Sequence, residues 1–278
     1  MDLFAVTRTL AISGLAFPVV DHGRGPVVLL LHGFPDSRHL WRNQVPSLVE
    51  AGFRVIAPDL RGFGEAPQPP AVEAYRYVEL VADVIGILDA LGVERTSLVG
   101  HDWGAALSWK LIASHPERFD RLVAISVGAP GNPGSFTIEQ REKSWYYDYF
   151  LKVGKAEEGL RRENWKLFRE WTRGQGDEAR HLHDLARPGA LTAGLNWYRA
   201  NLGGPPPGER LSRPAKVRVP VLGIWGERDP FLLEPQMIGS QSLVEGPWRY
   251  EKIRDAGHWV MLDQPAELNR LLVEFLRS

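Results

Sequence analysis

The sequence TSLVGHDWGAALSWKLIA, residues 96–113, contains the pattern that decides the fold. Residues 96–99 form a short, mostly apolar run typical of a buried strand, and apolar residues then recur at helical spacing. Between the two lies Gly100-His101-Asp102-Trp103-Gly104, with glycines at the positions where side chains would collide in a sharp turn. The stretch therefore predicts a strand, a tight bend that exposes Asp102, and a helix.

Further apolar runs occur on both sides of this stretch, and turn residues follow most of them. Helical patterns separate the runs, the clearest between Leu80 and Leu91 and another after Pro265. Alternating strands and helices indicate an α/β protein with a mostly parallel sheet flanked by helices. The other predicted strands of this sheet are Val27–Leu31, Phe53–Ala57, Leu122–Val127, Val221–Trp225 and Tyr250–Ile253.

The alternation is interrupted between Pro130 and Pro214. Aromatic and charged residues at helical spacing dominate this part, and proline and glycine mark both of its ends. We expect a core domain of residues 1–130 and 214–278, with residues 131–213 forming a helical cap, or lid, inserted after the sixth strand. Because ligands bind at the carboxyl ends of strands in open α/β sheets, this cap would cover the site.

Composition excludes several classes of function. The 278 residues include 33 Lys and Arg and 34 Asp and Glu, so the net charge of −1 does not suit nucleic-acid binding. The sequence has no cysteine, which excludes a disulfide scaffold and a thiolate metal site. No apolar stretch is long enough to span a membrane. Residues 10–20 lack the basic cluster of a signal peptide, so we expect two strands there and a cytoplasmic protein.

Asp102 is the candidate nucleophile. In enzymes with this strand, bend and helix the residue at the bend attacks the substrate, and serine is common there. A serine that attacked a saturated carbon would form an ether that water does not readily cleave. A carboxylate forms an ester instead, and attack at its carbonyl carbon releases the product. The structural alternative is that Asp102 only caps the following helix.

The loop His32-Gly33-Phe34-Pro35 follows the strand Val27–Leu31 directly. A loop in this position can donate a backbone N–H to a developing oxyanion, and the residue after the nucleophile can donate the second. We therefore expect the backbone N–H groups of Phe34 and Trp103 to form an oxyanion hole.

A general base and its orienting acid are expected downstream of the nucleophile. His258 lies between the last predicted strand and the C-terminal helix, so it fits the base. Asp229 follows the strand Val221–Trp225 and fits the acid. His181 and His183 lack further convincing metal ligands, and we expect a solvated pair and no metal site.

Together these motifs resemble the epoxide hydrolases of the α/β-hydrolase superfamily, over essentially the whole chain from Val27. The matching set is His32-Gly33-Phe34-Pro35, Arg61-Gly62-Phe63-Gly64, Gly100-His101-Asp102-Trp103-Gly104, Asp229 and Gly257-His258-Trp259. The resemblance implies an α/β-hydrolase fold, no cofactor, and hydrolysis of an epoxide to a vicinal diol through an ester of Asp102. Haloalkane dehalogenases share the aspartate at the bend, so the motifs alone leave both chemistries open.

Tyrosines in the cap favour the epoxide. An epoxide leaves as a basic alkoxide that needs a proton, and a phenol stays protonated at neutral pH and can supply one. Leu195-Asn196-Trp197-Tyr198-Arg199 resembles the segment that carries the second lid tyrosine of the family. Residues 145–150 resemble the segment of the first. Tyr146 is the better match there, while Tyr147 and Tyr149 remain alternatives.

The expected substrate is a small hydrophobic epoxide, together with water. Phe34, Trp103, Phe150 and Trp259 are candidates for an apolar pocket wall. Fluoroacetate-type dehalogenases have an arginine where this chain has Trp103, which counts against an anionic substrate. A haloalkane dehalogenase and a non-catalytic ligand-binding protein remain the alternatives. We expect a monomer or a homodimer.

Overall fold

The computed structural model describes residues 8–132, 134, 137–202 and 216–278. Among them, eight strands form one sheet in the order β1-β2-β4-β3-β5-β6-β7-β8. Pairs from β4 to β8 along this order are parallel, while β2 is antiparallel to both β1 and β4. The strands are β1 (Arg8–Ile12), β2 (Leu15–His22), β3 (Val27–Leu31), β4 (Arg54–Pro58), β5 (Thr96–His101), β6 (Phe119–Ile125), β7 (Val221–Gly226) and β8 (Trp248–Ile253).

The predicted mostly parallel sheet is confirmed, and the two N-terminal strands add an antiparallel edge. The largest difference is at β6, which begins at Phe119 and ends at Ile125, whereas the apolar run predicts Leu122–Val127. Ser126 has a φ of 65°, so the backbone turns left-handed there and leaves the sheet before the apolar residues end.

Helices flank the sheet, and the described residues include eleven α-helices. In the core they are α1 (Gln44–Glu50), α2 (Tyr77–Ala90), α3 (Trp103–Ser114), α9 (Glu234–Ile238), α10 (Val260–Asp263) and α11 (Pro265–Arg277). The remaining five, which we call the cap helices, are α4 (Ile138–Lys143), α5 (Trp145–Phe150), α6 (Lys155–Thr172), α7 (Glu178–Leu185) and α8 (Ala190–Leu202). No helix among the described residues is both long and apolar enough to cross a bilayer.

The cap helices follow β6 and pack on the core through specific contacts. The indole N–H of Trp197 on α8 donates to the carbonyl of Arg61 at 2.9 Å. The amide of Asn201, also on α8, accepts from the backbone N–H of Tyr77 at 3.0 Å. Pro133 and residues 203–215, on which the expected boundaries depend, lie outside the described residues. The division into a core of 1–130 and 214–278 and a cap of 131–213 stays a prediction.

Candidate active site

Asp102 lies at the junction of β5 and α3, with φ 52° and ψ −123°. This positive φ is strained for a residue with a side chain, and close backbone packing on both sides holds it. A Cβ added to Gly100 would lie 2.5 Å from the carbonyl oxygen of Gly104, and one added to Gly104 would lie 2.1 Å from that of Leu31. The two glycines of the motif are therefore required for the bend.

The loop after β3 approaches the Asp102 carboxylate. The backbone N–H of Phe34 donates to Asp102 Oδ1 at 2.8 Å. A Cβ on Gly33 would lie 2.3 Å from the same oxygen and 2.6 Å from the backbone nitrogen of Trp103. The loop of Phe34 thus lies close to both the carboxylate of Asp102 and the backbone nitrogen of Trp103, and only glycine at position 33 leaves room for this approach.

His258 lies between two carboxylates. Its Nδ1 is 2.7 Å from Asp229 Oδ2, and its Nε2 is 3.6 Å from Asp102 Oδ2, an ion-pair distance. The other oxygen of Asp229 accepts from the backbone N–H groups of Phe231 at 2.9 Å and Leu232 at 3.0 Å. These bonds leave one oxygen of Asp229 to orient the imidazole toward Asp102.

The charge environment of His258 favours the imidazolium. Burial lowers the pKa of His258, but the carboxylates of Asp229 and Asp102 outweigh burial and raise it to about 10. The imidazole therefore carries a proton at neutral pH. Any reaction that neutralises Asp102 removes part of the charge that holds this proton.

Three phenols, those of Tyr77, Tyr147 and Tyr198, line the same cavity as Asp102. Burial, followed by the charge of Asp102, raises the pKa of Tyr198 well above its usual value. For Tyr147 the same two causes raise the pKa to about 12. Both phenols stay protonated over the neutral range and can donate a hydrogen bond toward Asp102.

Tyr146 occupies a different position from its neighbour. Its ring is buried, with 3% of the residue exposed, and packs against Tyr147, Phe150 and Trp171. Burial and the neighbouring phenols of Tyr147 and Tyr198 raise its pKa well above the usual value. Tyr147, and not Tyr146, is among the residues that line the cavity. Tyr149, the third candidate, donates to the carbonyl of Lys155 at 3.3 Å and does not line the cavity either. We keep Tyr146 and Tyr147 as the candidates for the first lid tyrosine.

The cavity has a volume of about 340 Å³. Its polar wall residues include Gln140 and Gln236, whose amides are already engaged with the protein. Gln140 donates to the carbonyl of Phe231 and accepts from the N–H of Leu233, each at 2.8 Å. Gln236 accepts from the N–H of Gly128 at 2.6 Å and donates to the carbonyl of Ser126 at 2.8 Å. Ser144, which accepts from Gln140 at 2.9 Å, and the exposed Arg141 also line the cavity. Most of the remaining wall is apolar, apart from Asp102 and the phenols.

Of the four expected wall residues, the structure places Trp103 in the lining of this cavity. Phe34, Phe150 and Trp259 are almost completely buried instead. The ring of Phe34 packs on those of Phe150 and Tyr198 at centroid distances of 5.7 and 5.5 Å. These rings support the residues that line the cavity. A role for them in substrate binding stays a prediction.

Asp36 is a buried acid beside the site that sequence reasoning missed. Its Oδ1 is 2.7 Å from His181 Nε2 on α7, and its Oδ2 accepts from the Trp259 indole N–H at 2.8 Å. Burial acts to raise the pKa of Asp36, but the His181 imidazole outweighs it and the pKa is lowered. An acidic residue directly after His32-Gly33-Phe34-Pro35 was the only signal in the sequence.

The expectation of a solvated histidine pair is wrong for His181. That side chain is completely buried against Asp36, while His183, two residues further on the same helix, is exposed. The reason is helical geometry, since residues two apart point to nearly opposite sides of a helix. In the part of the chain that the structure describes, no three His, Asp or Glu side chains are grouped as they would be to hold a metal ion.

Comparisons with known proteins agree with this architecture. The family model of the alpha/beta hydrolase fold matches residues 26–265. Epoxide hydrolase A of Mycobacterium tuberculosis is 32% identical, over 97% of this chain and 96% of its own length. The AB hydrolase superfamily protein YfhM of Bacillus subtilis is 34% identical, over 96% of both chains.

Solved structures of epoxide hydrolases have the same fold. That of epoxide hydrolase A from Mycobacterium thermoresistibile superimposes with a TM-score of 0.82 at 30% identity, over 98% of both chains. A metagenomic epoxide hydrolase from hot environments gives a TM-score of 0.86 at 28% identity, also over 98% of both chains. The chain belongs to the alpha/beta hydrolase family. Its resemblance to the epoxide hydrolases of that family, predicted from the motifs, is confirmed.

Proposed function

We propose that this protein is an epoxide hydrolase that converts small hydrophobic epoxides and water to vicinal diols through a covalent ester of Asp102. The observation that carries the proposal is the position of the Asp102 carboxylate, which faces one cavity together with the phenols of Tyr147 and Tyr198. A nucleophile for carbon and proton donors for oxygen are the two groups that opening of an epoxide requires.

In the first step, a carboxylate oxygen of Asp102 attacks one carbon of the epoxide, and the bond from that carbon to the epoxide oxygen breaks. Tyr198 and the first lid tyrosine, either Tyr146 or Tyr147, hold that oxygen and protonate it as it leaves. Their raised pKa values keep both phenols protonated until the alkoxide forms. The product of the step is a hydroxyalkyl ester of Asp102.

The proton on His258 balances this step. The alkoxide takes a proton from a phenol, which becomes a phenolate. The phenolate is then reprotonated, and the imidazolium of His258 is the net source of that proton. Esterification removes the charge of Asp102, one of the two that raise the pKa of His258 to about 10. The imidazole therefore loses its proton more readily after alkylation and becomes the neutral base of the second step.

In the second step, water gives a proton to His258 while its oxygen bonds to the ester carbonyl carbon. The backbone N–H groups of Phe34 and Trp103 stabilise the oxyanion. When the intermediate collapses, the bond to the diol oxygen breaks, and this oxygen takes the remaining proton of the attacking water as the diol leaves. Asp102 is again a carboxylate beside a protonated His258, which Asp229 holds in orientation, and neither step requires a cofactor.

The phenols favour the epoxide over a haloalkane, because a halide leaves without a proton whereas an alkoxide needs one. The largely apolar wall of the cavity supports a hydrophobic substrate. We further propose that the protein works in the cytoplasm, as a monomer or a homodimer.

A single turnover in oxygen-labelled water, with enzyme in excess over an aromatic epoxide, tests the mechanism. We expect the label in the carboxylate of Asp102 and an unlabelled diol, because water attacks the ester carbonyl. Label that enters the diol first would refute the covalent route.

A panel of epoxides and haloalkanes tests the substrate class. Release of halide without formation of a diol would identify a dehalogenase. If neither class of compound is turned over, the protein would be a non-catalytic ligand-binding protein.

A further inference from the structure

The backbone of His258 is held by side chains on both sides. Its carbonyl accepts from Ser126 Oγ at 2.9 Å and pairs with His101 Nε2 at 2.9 Å. Burial and the charge of His258 lower the pKa of His101 to about 4, so this imidazole is neutral and carries its proton on Nε2, toward the carbonyl. On the opposite side, the N–H of His258 donates to Gln175 Oε1 at 3.0 Å. The first two side chains belong to the core, but Gln175 comes from between cap helices α6 and α7.

The turn that carries Gln175 has a defined backbone. Arg173, Gly174 and Gly176 have φ values of 55°, 71° and 77°, and the N–H of Gln175 donates to the carbonyl of Thr172 at 3.0 Å. A Cβ on Gly176 would lie 2.9 Å from ring atoms of Trp259. The backbone of the cap therefore packs directly on the residue after the general base, where a side chain would push the two apart.

The amide of Gln175 also fits a gap between two catalytic loops. A Cβ on Gly257 would lie 2.2 Å from Gln175 Oε1, so the amide fills the space that this glycine leaves open. Its Nε2 faces the carbonyl of Arg228 at 3.5 Å, directly before Asp229. One side chain of the cap thus contacts the loop of the base and the loop of the orienting acid.

We propose that Gln175 is a positioning residue for His258, through which the seating of the cap on the core controls hydrolysis of the Asp102 ester. The proposal rests on the proposed function. Ring opening uses Asp102 and the phenols directly and needs His258 only as the net source of a proton, whereas ester hydrolysis depends on the direction of the His258 imidazole toward water. Loss of the Gln175 acceptor leaves the His258 N–H without its partner and frees the loop to shift, which slows the second step more than the first.

Gln175→Leu removes the acceptor and puts an apolar side chain in its place. With rapid quenching and mass spectrometry of the Asp102 peptide, we expect ester hydrolysis to slow about tenfold while ester formation stays within about twofold of wild type. The ester then accumulates in the steady state. Gln175→Glu keeps an oxygen acceptor for the His258 N–H but loses the amide group that faces the Arg228 carbonyl, so it should restore part of the hydrolysis rate. Arg173→Leu, an exposed position in the same turn, is the matched control and should leave both rates near wild type.

Gly257→Ala provides a second, independent variant, since its methyl group displaces the Gln175 amide without altering it. It should show the same selective loss of the hydrolysis step. Equal slowing of both steps by Gln175→Leu, unchanged hydrolysis, or failure of Gln175→Glu to restore part of the rate would each overturn the positioning role. A single turnover of the wild type in oxygen-labelled water separates this result from the proposed function, because label that enters the diol first refutes the covalent mechanism itself.

Discussion

The bend at Asp102 and the cap helices place their functional groups by different means. At the bend, backbone strain at one residue and close contacts of Gly33, Gly100 and Gly104 set the position of the nucleophile. In the cap, side-chain contacts with distant residues set the positions, such as Asp36 with His181 and His258 with Gln175. Main-chain packing has little freedom, whereas helices held by side chains can shift by small amounts.

This difference divides the proposed chemistry. The core contributes the nucleophile, the oxyanion donors, the base and its acid. The cap contributes the phenols that protonate the leaving oxygen and the glutamine that holds the base. Changes in the core should therefore abolish a reaction step. Changes in the cap should reduce the rate of a step or weaken the packing of the cap helices on the core. The following variants test that division.

The largest effect is expected for Asp102→Ala, at the bend. Removal of the carboxylate removes the nucleophile, so we expect diol formation to fall on the order of 10⁴-fold or more. The mass of the enzyme should not increase on incubation with an epoxide. Circular dichroism and thermal unfolding provide the control for folding. Activity within an order of magnitude of wild type would show that water attacks the epoxide directly.

Asp229→Asn should reduce turnover on the order of 10³-fold, because the amide does not orient or stabilise the imidazolium as the carboxylate does. Burial lowers the pKa of His258, and Asp229 is the largest of the groups that raise it to about 10. We expect activity of the wild type to fall as the pH rises through about 10. In the variant this fall should begin at a lower pH. A pH–rate profile that is the same in both proteins would contradict the proposed ion pair.

Tyr198→Phe should slow ester formation on the order of 10²-fold, since one proton donor to the leaving oxygen is lost. Parallel Tyr146→Phe and Tyr147→Phe variants identify the first lid tyrosine as the one with a comparable effect. Pre-steady-state rates of ester formation are the measurement, and Tyr149→Phe is the control on the same helix. Normal ester formation in Tyr198→Phe would remove the phenols from the mechanism and favour the dehalogenase reading.

The smallest effect on chemistry is expected for His181→Leu in the cap. The substitution leaves the buried Asp36 carboxylate without its His181 partner, which costs about 3 kcal/mol of unfolding free energy. Chemical denaturation should report this loss, while the exposed His183→Leu on the same helix serves as the matched control with little change. Equal stabilities of the two variants would show that the Asp36 contact does not hold the cap.

Local patterns predicted most of the core and part of the site. Residues 96–113 predict the strand, bend and helix around Asp102 because each part depends on neighbours in the chain. The same reasoning does not choose between Tyr146 and Tyr147, since adjacent residues on a helix point about 100° apart and packing decides which one faces the cavity. It also missed the pairing of Asp36 with His181, which are separated by 145 residues and carry no shared local signal.

The sequence alone determined the alternation of strands and helices and the presence of an acidic side chain at a glycine-flanked bend. Both can be predicted because the spacing of apolar residues, and the steric clashes that glycine avoids, depend on residues close together in the chain. Only the tertiary structure decided which side chains meet that acid. The distance from Asp102 to His258 depends on the packing of the core, whereas those from His258 to Gln175 and from Asp36 to His181 depend on how the cap helices pack on the core. That packing results from many contacts between distant residues, which no short pattern contains.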